Sequence, residues 1–129
     1  MTELLAVATG GALGAFIRFA LSTLCNRLLQ NPRVLTGTLV SNIIGCFLGG
    51  IALGWISSDG FIETRIALFI TTGFLGSLTT FSTFALETYG LLNRDTLKPL
   101  AAYLFLQIAA AFFVTVSGFW LYQQLAGYG

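Results

Sequence analysis

The chain contains no histidine, and only 9% of its residues are charged. The first absence removes the commonest metal ligand and the commonest general base together. The second removes the solvated coat of a water-soluble domain, in which about 25% of residues are charged. Six basic against five acidic side chains leave a net charge of +1, so there is no electrostatic footprint for nucleic acid. Cysteine is scarce as well: Cys25 and Cys46 stand alone in apolar surroundings, without CxxC spacing. They read as small buried hydrophobes, not as a disulfide framework or a zinc site. With no nucleophile–base pair and no metal cluster, an enzyme is not expected.

What fills the chain instead is apolar: 56% of its 129 residues are hydrophobic. Residues 34–58, 66–86 and 99–129 carry no charge at all, and 4–26 carry only Arg18. A membrane helix needs roughly 20 mostly apolar residues, so four spans fit, at about 4–29, 35–57, 62–92 and 97–125. The turn formers and most of the remaining charges collect between them, in Gln30-Asn31-Pro32-Arg33, Ser57-Ser58-Asp59-Gly60 and Asn93-Arg94-Asp95. Residues 1–129 therefore form one all-α membrane domain. The first apolar stretch lacks a basic start and a small-residue cleavage site, so it is read as a retained helix. The first and third loops hold Arg27, Arg33, Arg94 and Lys98 against Arg65 alone in the second. That bias favours both termini outside, yet it is shallow enough for a chain that inserts both ways.

The polar residues within the spans carry the functional signal. In the first, Gly10, Gly14, Arg18 and Ser22 recur every fourth residue, which sets an arginine on a small-residue face. An intramembrane arginine costs about 2.5–3.5 kcal/mol on insertion scales; it serves either a polar route or the capping of backbone carbonyls. In the second, Thr38, Asn42, Gly45 and Gly49 share one face. That face reads as interhelical hydrogen bonding or as a solute-lined wall. The GxxxG pairs Gly10/Gly14 and Gly45/Gly49 permit close helix approach; each alone reads first as packing within the chain, and the whole set taken together favours a homo-oligomer. Residues 71–83 hold seven hydroxyls and two glycines in thirteen positions. Such a stretch weakens a helix interior, and a break near Gly76–Thr79 is expected, with freed carbonyls able to face a small cation. Beyond it, Thr79, Thr80, Thr83 and Glu87 fall on one helical face bordered by Phe84, with Phe81 farther round.

Thr-Thr-Phe-Ser-Thr-Phe at 79–84, preceded by Gly73-Phe74-Leu75-Gly76, resembles the Fluc (CrcB-type) fluoride channel family. Gly10-Gly11-Ala12-Leu13-Gly14-Ala15-Phe16-Ile17-Arg18-Phe19 and Gly37-Thr38 with Asn42 and Gly45 support it. The likeness covers essentially the whole chain. Ser77 stands where a second glycine often occurs in that family, and Phe19 where a tyrosine is frequent. The resemblance implies four transmembrane helices with a broken third, assembled as an antiparallel dual-topology homodimer in the cell (inner) membrane. It implies a structural sodium ion at the dimer centre, held by the backbone carbonyls of Gly76 and Thr79 from both copies. Phe81 and Phe84 would be the pore phenylalanines, their positive ring edges turned to the anion. Asn42, Ser82, Thr83 and Tyr103 would add polar lining, with Thr38, Glu87 and Arg18 along the fluoride pathway.

Fluoride holds water tightly, and a route for it must replace hydration with donors while avoiding a charge that traps the ion. Hydroxyls, an amide and ring edges meet that need, whereas the Glu87 carboxylate must be protonated, hydrogen-bonded away or mobile. Passive export of cytoplasmic fluoride, lowering its toxicity, is the leading expectation. A small four-helix proton-coupled exporter of cationic drugs is the alternative, with Glu87 as its deep carboxylate, and a non-transporting scaffold is the third.

Overall fold

The computed structural model describes residues 1–29, 34–58, 63–94 and 97–127. Four helical runs among them are long and apolar enough to cross a membrane. The first, α1, spans Thr2–Leu28, and the second, α2, spans Gly37–Ser58. The third run, Thr64–Leu92, has two parts: α3, residues 64–78, and α4, Phe81–Leu92. The fourth, α5, spans Leu97–Leu125. These limits lie within two residues of those set by the uncharged runs. The turn residues at 30–33, 59–60 and 95 lie outside the described residues.

Between α3 and α4 the backbone leaves the helical region at two residues. Thr79 has φ −86°, ψ 153°, and Thr80 has φ −149°, ψ 119°. Gly76 itself is helical, at φ −62°, ψ −28°. The extended pair changes the phase of everything after it. Thr79 therefore does not continue the face of Thr83 and Glu87, as a single uninterrupted helix would require. Its Oγ1 donates to the Leu75 carbonyl at 3.0 Å, and Thr80 becomes the N-cap of α4, its hydroxyl accepting from the Thr83 amide. Two segments wind as π-helix, Phe69–Leu75 in α3 and Leu106–Ala110 in α5. Nothing in the hydrophobic period marks either.

The small-residue stripes are used inside the chain. A methyl group at Gly14 would collide with the Phe74 carbonyl oxygen, and one at Gly10 with that of Phe69. The backbones of α1 and α3 meet there. Farther down the same face, Ser22 lies against Gly37 at the start of α2. Gly45 is filled by the Thr79 methyl, and Gly49 lies near Leu75. The GxxxG pairs read as a sign of oligomerisation are thus occupied by intrachain neighbours. A second close contact joins α2 to α5, where a methyl on Gly50 or Gly118 would strike the Thr115 or Phe47 carbonyl oxygen.

The buried cluster is small and lies where α2, α4 and α5 converge: Leu39, Leu91 and Tyr103, with Phe84 and Leu106 packed on it. Most large apolar side chains point outward. Phe16, Phe105, Phe112 and Trp120 are each more than half exposed. Such a surface exceeds what a soluble monomer shows, and it suits lipid.

Candidate functional site

The polar groups converge around the extended pair and on the Glu87 carboxylate. The latter accepts three hydroxyl hydrogen bonds: from Thr38 Oγ1 at 2.7 Å, from Thr36 Oγ1 at 2.8 Å and from Tyr103 Oη at 2.5 Å. Glu87 is thus hydrogen-bonded away, one of the states left open for it on sequence alone. Tyr103 is fully buried, with its ring stacked on Phe84 at 5.8 Å between centroids. Thr36 does two jobs. Its hydroxyl also accepts from the Leu39 amide at 3.1 Å, which caps the start of α2.

Around the extended pair, backbone groups released from helical pairing find side-chain partners. In an α-helix the Thr80 amide would close on the carbonyl of Gly76. Here it donates to Asn42 Oδ1 at 2.9 Å. The Ser77 carbonyl, which would receive the Phe81 amide, accepts from Arg18 Nε at 3.0 Å. The Thr83 amide, due at the Thr79 carbonyl, goes to Thr80 Oγ1 at 3.4 Å. The carbonyls of Gly76 and Thr79 are therefore released from their usual helical donors. Arg18 acts as a carbonyl cap on the face predicted for it, and that cap lies beside a polar cavity.

Two cavities flank this region and share Thr80 as a wall. The larger, about 360 Å³, is lined by Asn42, Thr79, Phe81, Phe84 and Gln107 among others. The smaller, about 170 Å³, is lined by Arg18, Phe19, Ser22, Thr38, Thr80 and Thr83. The rings of Phe81 and Phe84 are tilted by 51° with centroids 5.5 Å apart, and Phe81 is 79% exposed. Of the residues singled out from sequence, Asn42, Phe81, Phe84 and Thr79 meet at the first cavity and Arg18, Thr38 and Thr83 at the second. Ser82, Glu87 and Tyr103 line neither. Ser82 is exposed and pairs with Thr80 Oγ1 at 3.1 Å. Cys46, read as a small hydrophobe, is half-buried on the wall of the larger cavity.

Sequence reasoning missed two members, Thr36 and Gln107. Gln107 is 8% exposed, accepts from Asn42 Nδ2 at 3.1 Å and donates to Tyr103 Oη at 3.1 Å. The available signals were weak ones. Thr36 stands just before Gly37 at a helix start. Gln107 is the one carboxamide in the middle of the fourth span, a turn after Tyr103.

Apolar spans that carry a bonded carboxylate and two cavities with donors among their lining residues define a multi-pass membrane protein. Residues 5–119 match the family described as CrcB-like protein, Camphor Resistance (CrcB), and the chain belongs to that family. A Proteus mirabilis protein named fluoride-specific ion channel FluC is 36% identical over 121 residues, covering 94% of this chain and 96% of its own. An Escherichia coli protein of the same name is 40% identical over 120 residues, 93% of each. One from Aromatoleum aromaticum is 41% identical over 118 residues, 89% of this chain and 86% of its own. These relatives are named as channels, not as enzymes.

Proposed function

We propose that the chain is the subunit of a fluoride-selective channel that lets cytoplasmic fluoride leave down its electrochemical gradient, lowering its toxicity. The observation that carries the reading is the set of N–H and O–H donors at two adjoining cavities, beside a carboxylate already satisfied by three hydroxyls. The Asn42 amide, the Thr83 hydroxyl and the Phe81 and Phe84 ring edges replace water around a small anion without a deep electrostatic well. Arg18 adds positive potential at the smaller cavity while held on the Ser77 carbonyl. Ser82 extends the donor row past Thr80, and Tyr103 acts behind the wall by holding Glu87. The names of the relatives support the same substrate. A proton-coupled exporter of cations needs a carboxylate free to exchange partners, and Glu87 is committed to three.

The proposed assembly is an antiparallel dual-topology homodimer in the cell inner membrane. The exposed Gly76 and the released carbonyls of Gly76 and Thr79 support a structural sodium at its centre. Carbonyl oxygens are the ligands that a hard cation takes. Two such carbonyls from each of two copies would supply the four oxygens of the proposed site. When bound, the ion would neutralise carbonyl dipoles that the extended pair leaves without helical donors.

The test is efflux from proteoliposomes read by a fluoride electrode, with chloride as control. Rapid fluoride release with chloride retained is expected. Retention of both ions, or release of both at similar rates, refutes the assignment.

A further inference from the structure

We infer that Gln107 is a positioning residue that sets which way round the Asn42 carboxamide sits, so that the larger cavity meets an N–H and not a carbonyl oxygen. The inference rests on the anion-channel reading for its functional consequence. The orientation itself rests on hydrogen-bond accounting.

Three side chains, joined by four hydrogen bonds, connect the extended pair to Glu87 in an unbroken line. The Thr80 amide donates to Asn42 Oδ1 at 2.9 Å, and Asn42 Nδ2 donates to Gln107 Oε1 at 3.1 Å. Gln107 Nε2 donates to Tyr103 Oη at 3.1 Å, and Tyr103 Oη donates to Glu87 Oε2 at 2.5 Å. The two ends of this line cannot exchange roles. A backbone N–H only donates, and a carboxylate only accepts. Each of the three hydroxyls at Glu87 donates to one of its two oxygens.

The interior then has one solution. Tyr103 has a single hydroxyl proton, and Glu87 takes it, so the tyrosine oxygen faces Gln107 as an acceptor. Gln107 must turn its NH2 toward Tyr103 and its oxygen toward Asn42. Asn42 must answer with its NH2, which leaves Oδ1 for the Thr80 amide. Starting from the Thr80 end gives the same answer. Reversing Asn42 alone sets oxygen against oxygen and N–H against N–H. Reversing Asn42 and Gln107 together sets the Gln107 oxygen against a tyrosine oxygen whose proton is spent.

Gln107 is the member that transmits this constraint. It touches both neighbours, is almost wholly buried and lies on the wall of the larger cavity with Asn42. Asn42 carries two amide hydrogens, and Gln107 takes one. Among the described residues the other has no partner, so it is the donor available to an ion in the cavity. Without Gln107, Asn42 is held by the Thr80 amide alone and its plane can swing.

Gln107→Leu removes both bonds at nearly constant volume, and Gln107→Met, an unbranched companion, guards against a folding defect in the first. Each is compared with the wild type, with Asn42→Ala and with the double variant, at equal amounts of folded protein in liposomes. Fluoride flux should fall about tenfold in the single Gln107 variants, which is the worth of one hydrogen bond. In the Asn42→Ala background the same change should cost less than about twofold, because the group being positioned is gone. A purely structural role predicts equal losses in both backgrounds, and that result overturns the inference.

The second readout needs no fluoride. The Asn42 side-chain NH2 resonances of labelled protein should shift in both Gln107 variants. Unshifted Asn42 resonances overturn the inference whatever the flux. If the wild type passes no fluoride, the channel reading falls, and the resonances alone decide the orientation.

Discussion

Replacing Glu87 by leucine and by glutamine separates a hub of hydrogen bonds from a mere buried side chain. Three donors meet the carboxylate, and their residues are well covered: Thr36 is 9% exposed, Thr38 3% and Tyr103 0%. A hydrogen bond to a charged group is worth about 1.5–3 kcal/mol, so the three set an upper bound of about 4.5–9 kcal/mol. Part is recovered in Glu87→Leu. A threonine hydroxyl can turn to a backbone carbonyl one turn back, whereas Tyr103 has no such recourse and its proton is orphaned. The expected net loss is about 3–5 kcal/mol. In Glu87→Gln one oxygen still accepts, and the new NH2 can donate to a threonine oxygen, so the expected loss is about 1–2 kcal/mol. The assay is unfolding of purified protein in mixtures of mild detergent and dodecyl sulfate, followed by circular dichroism. Tyr103→Phe, made in the wild type and in Glu87→Leu, adds a cycle: the phenylalanine should cost less once the carboxylate is gone. If the leucine and glutamine variants agree within about 1 kcal/mol, the carboxylate is not the hub.

Phe81→Ile and Phe84→Ile should both cut fluoride efflux. Only the second should also lower stability, by about 1 kcal/mol, because Phe84 stacks on Tyr103 and Phe81 is mostly exposed. Gly14→Ala and Gly118→Ala should abolish folded protein on size-exclusion chromatography, since each methyl meets a carbonyl oxygen of the opposing helix. Gly90→Ala, with nothing within 4 Å, should instead gain about 0.5–1 kcal/mol. Asn93→Cys in a variant lacking Cys25 and Cys46 should react with an impermeant thiol reagent from both faces of the membrane; reaction from one face alone refutes dual insertion.

The spans were legible because membrane insertion is decided by local composition, and eleven charges in 129 residues leave little room for another division. Arg18 was placed on its packed face for a similar reason, as the fourfold spacing with Gly14 is local. The glycine pairs were legible as close contact but not as to partner. GxxxG says that a backbone comes close, not whose backbone, and here α3 is the neighbour of α1. The track of Thr79, Thr80, Thr83 and Glu87 assumed a continuous helical phase, and the two extended residues take Thr79 off it while Thr83 and Glu87 keep theirs within α4. Thr36 and Gln107 escaped because their partners lie 51 and 65 residues away, at Glu87 and Asn42. No periodicity encodes such a pairing, and the π-helical turn around Gln107 leaves no mark in the apolar pattern.

The bond between Arg18 and the Ser77 carbonyl spans 59 residues, which gives it a place in time. Synthesis at about 5–20 residues per second delivers Ser77 roughly 3–12 s after Arg18. During that interval α1 has neither the α3 backbone for its glycines nor an acceptor from α3 for its guanidinium. Until then the guanidinium must be served by water or lipid headgroups, as an intramembrane arginine without a protein partner is. The cap on the Ser77 carbonyl is thus a late contact, made only once the third span exists, and the wall of the smaller cavity is finished with it.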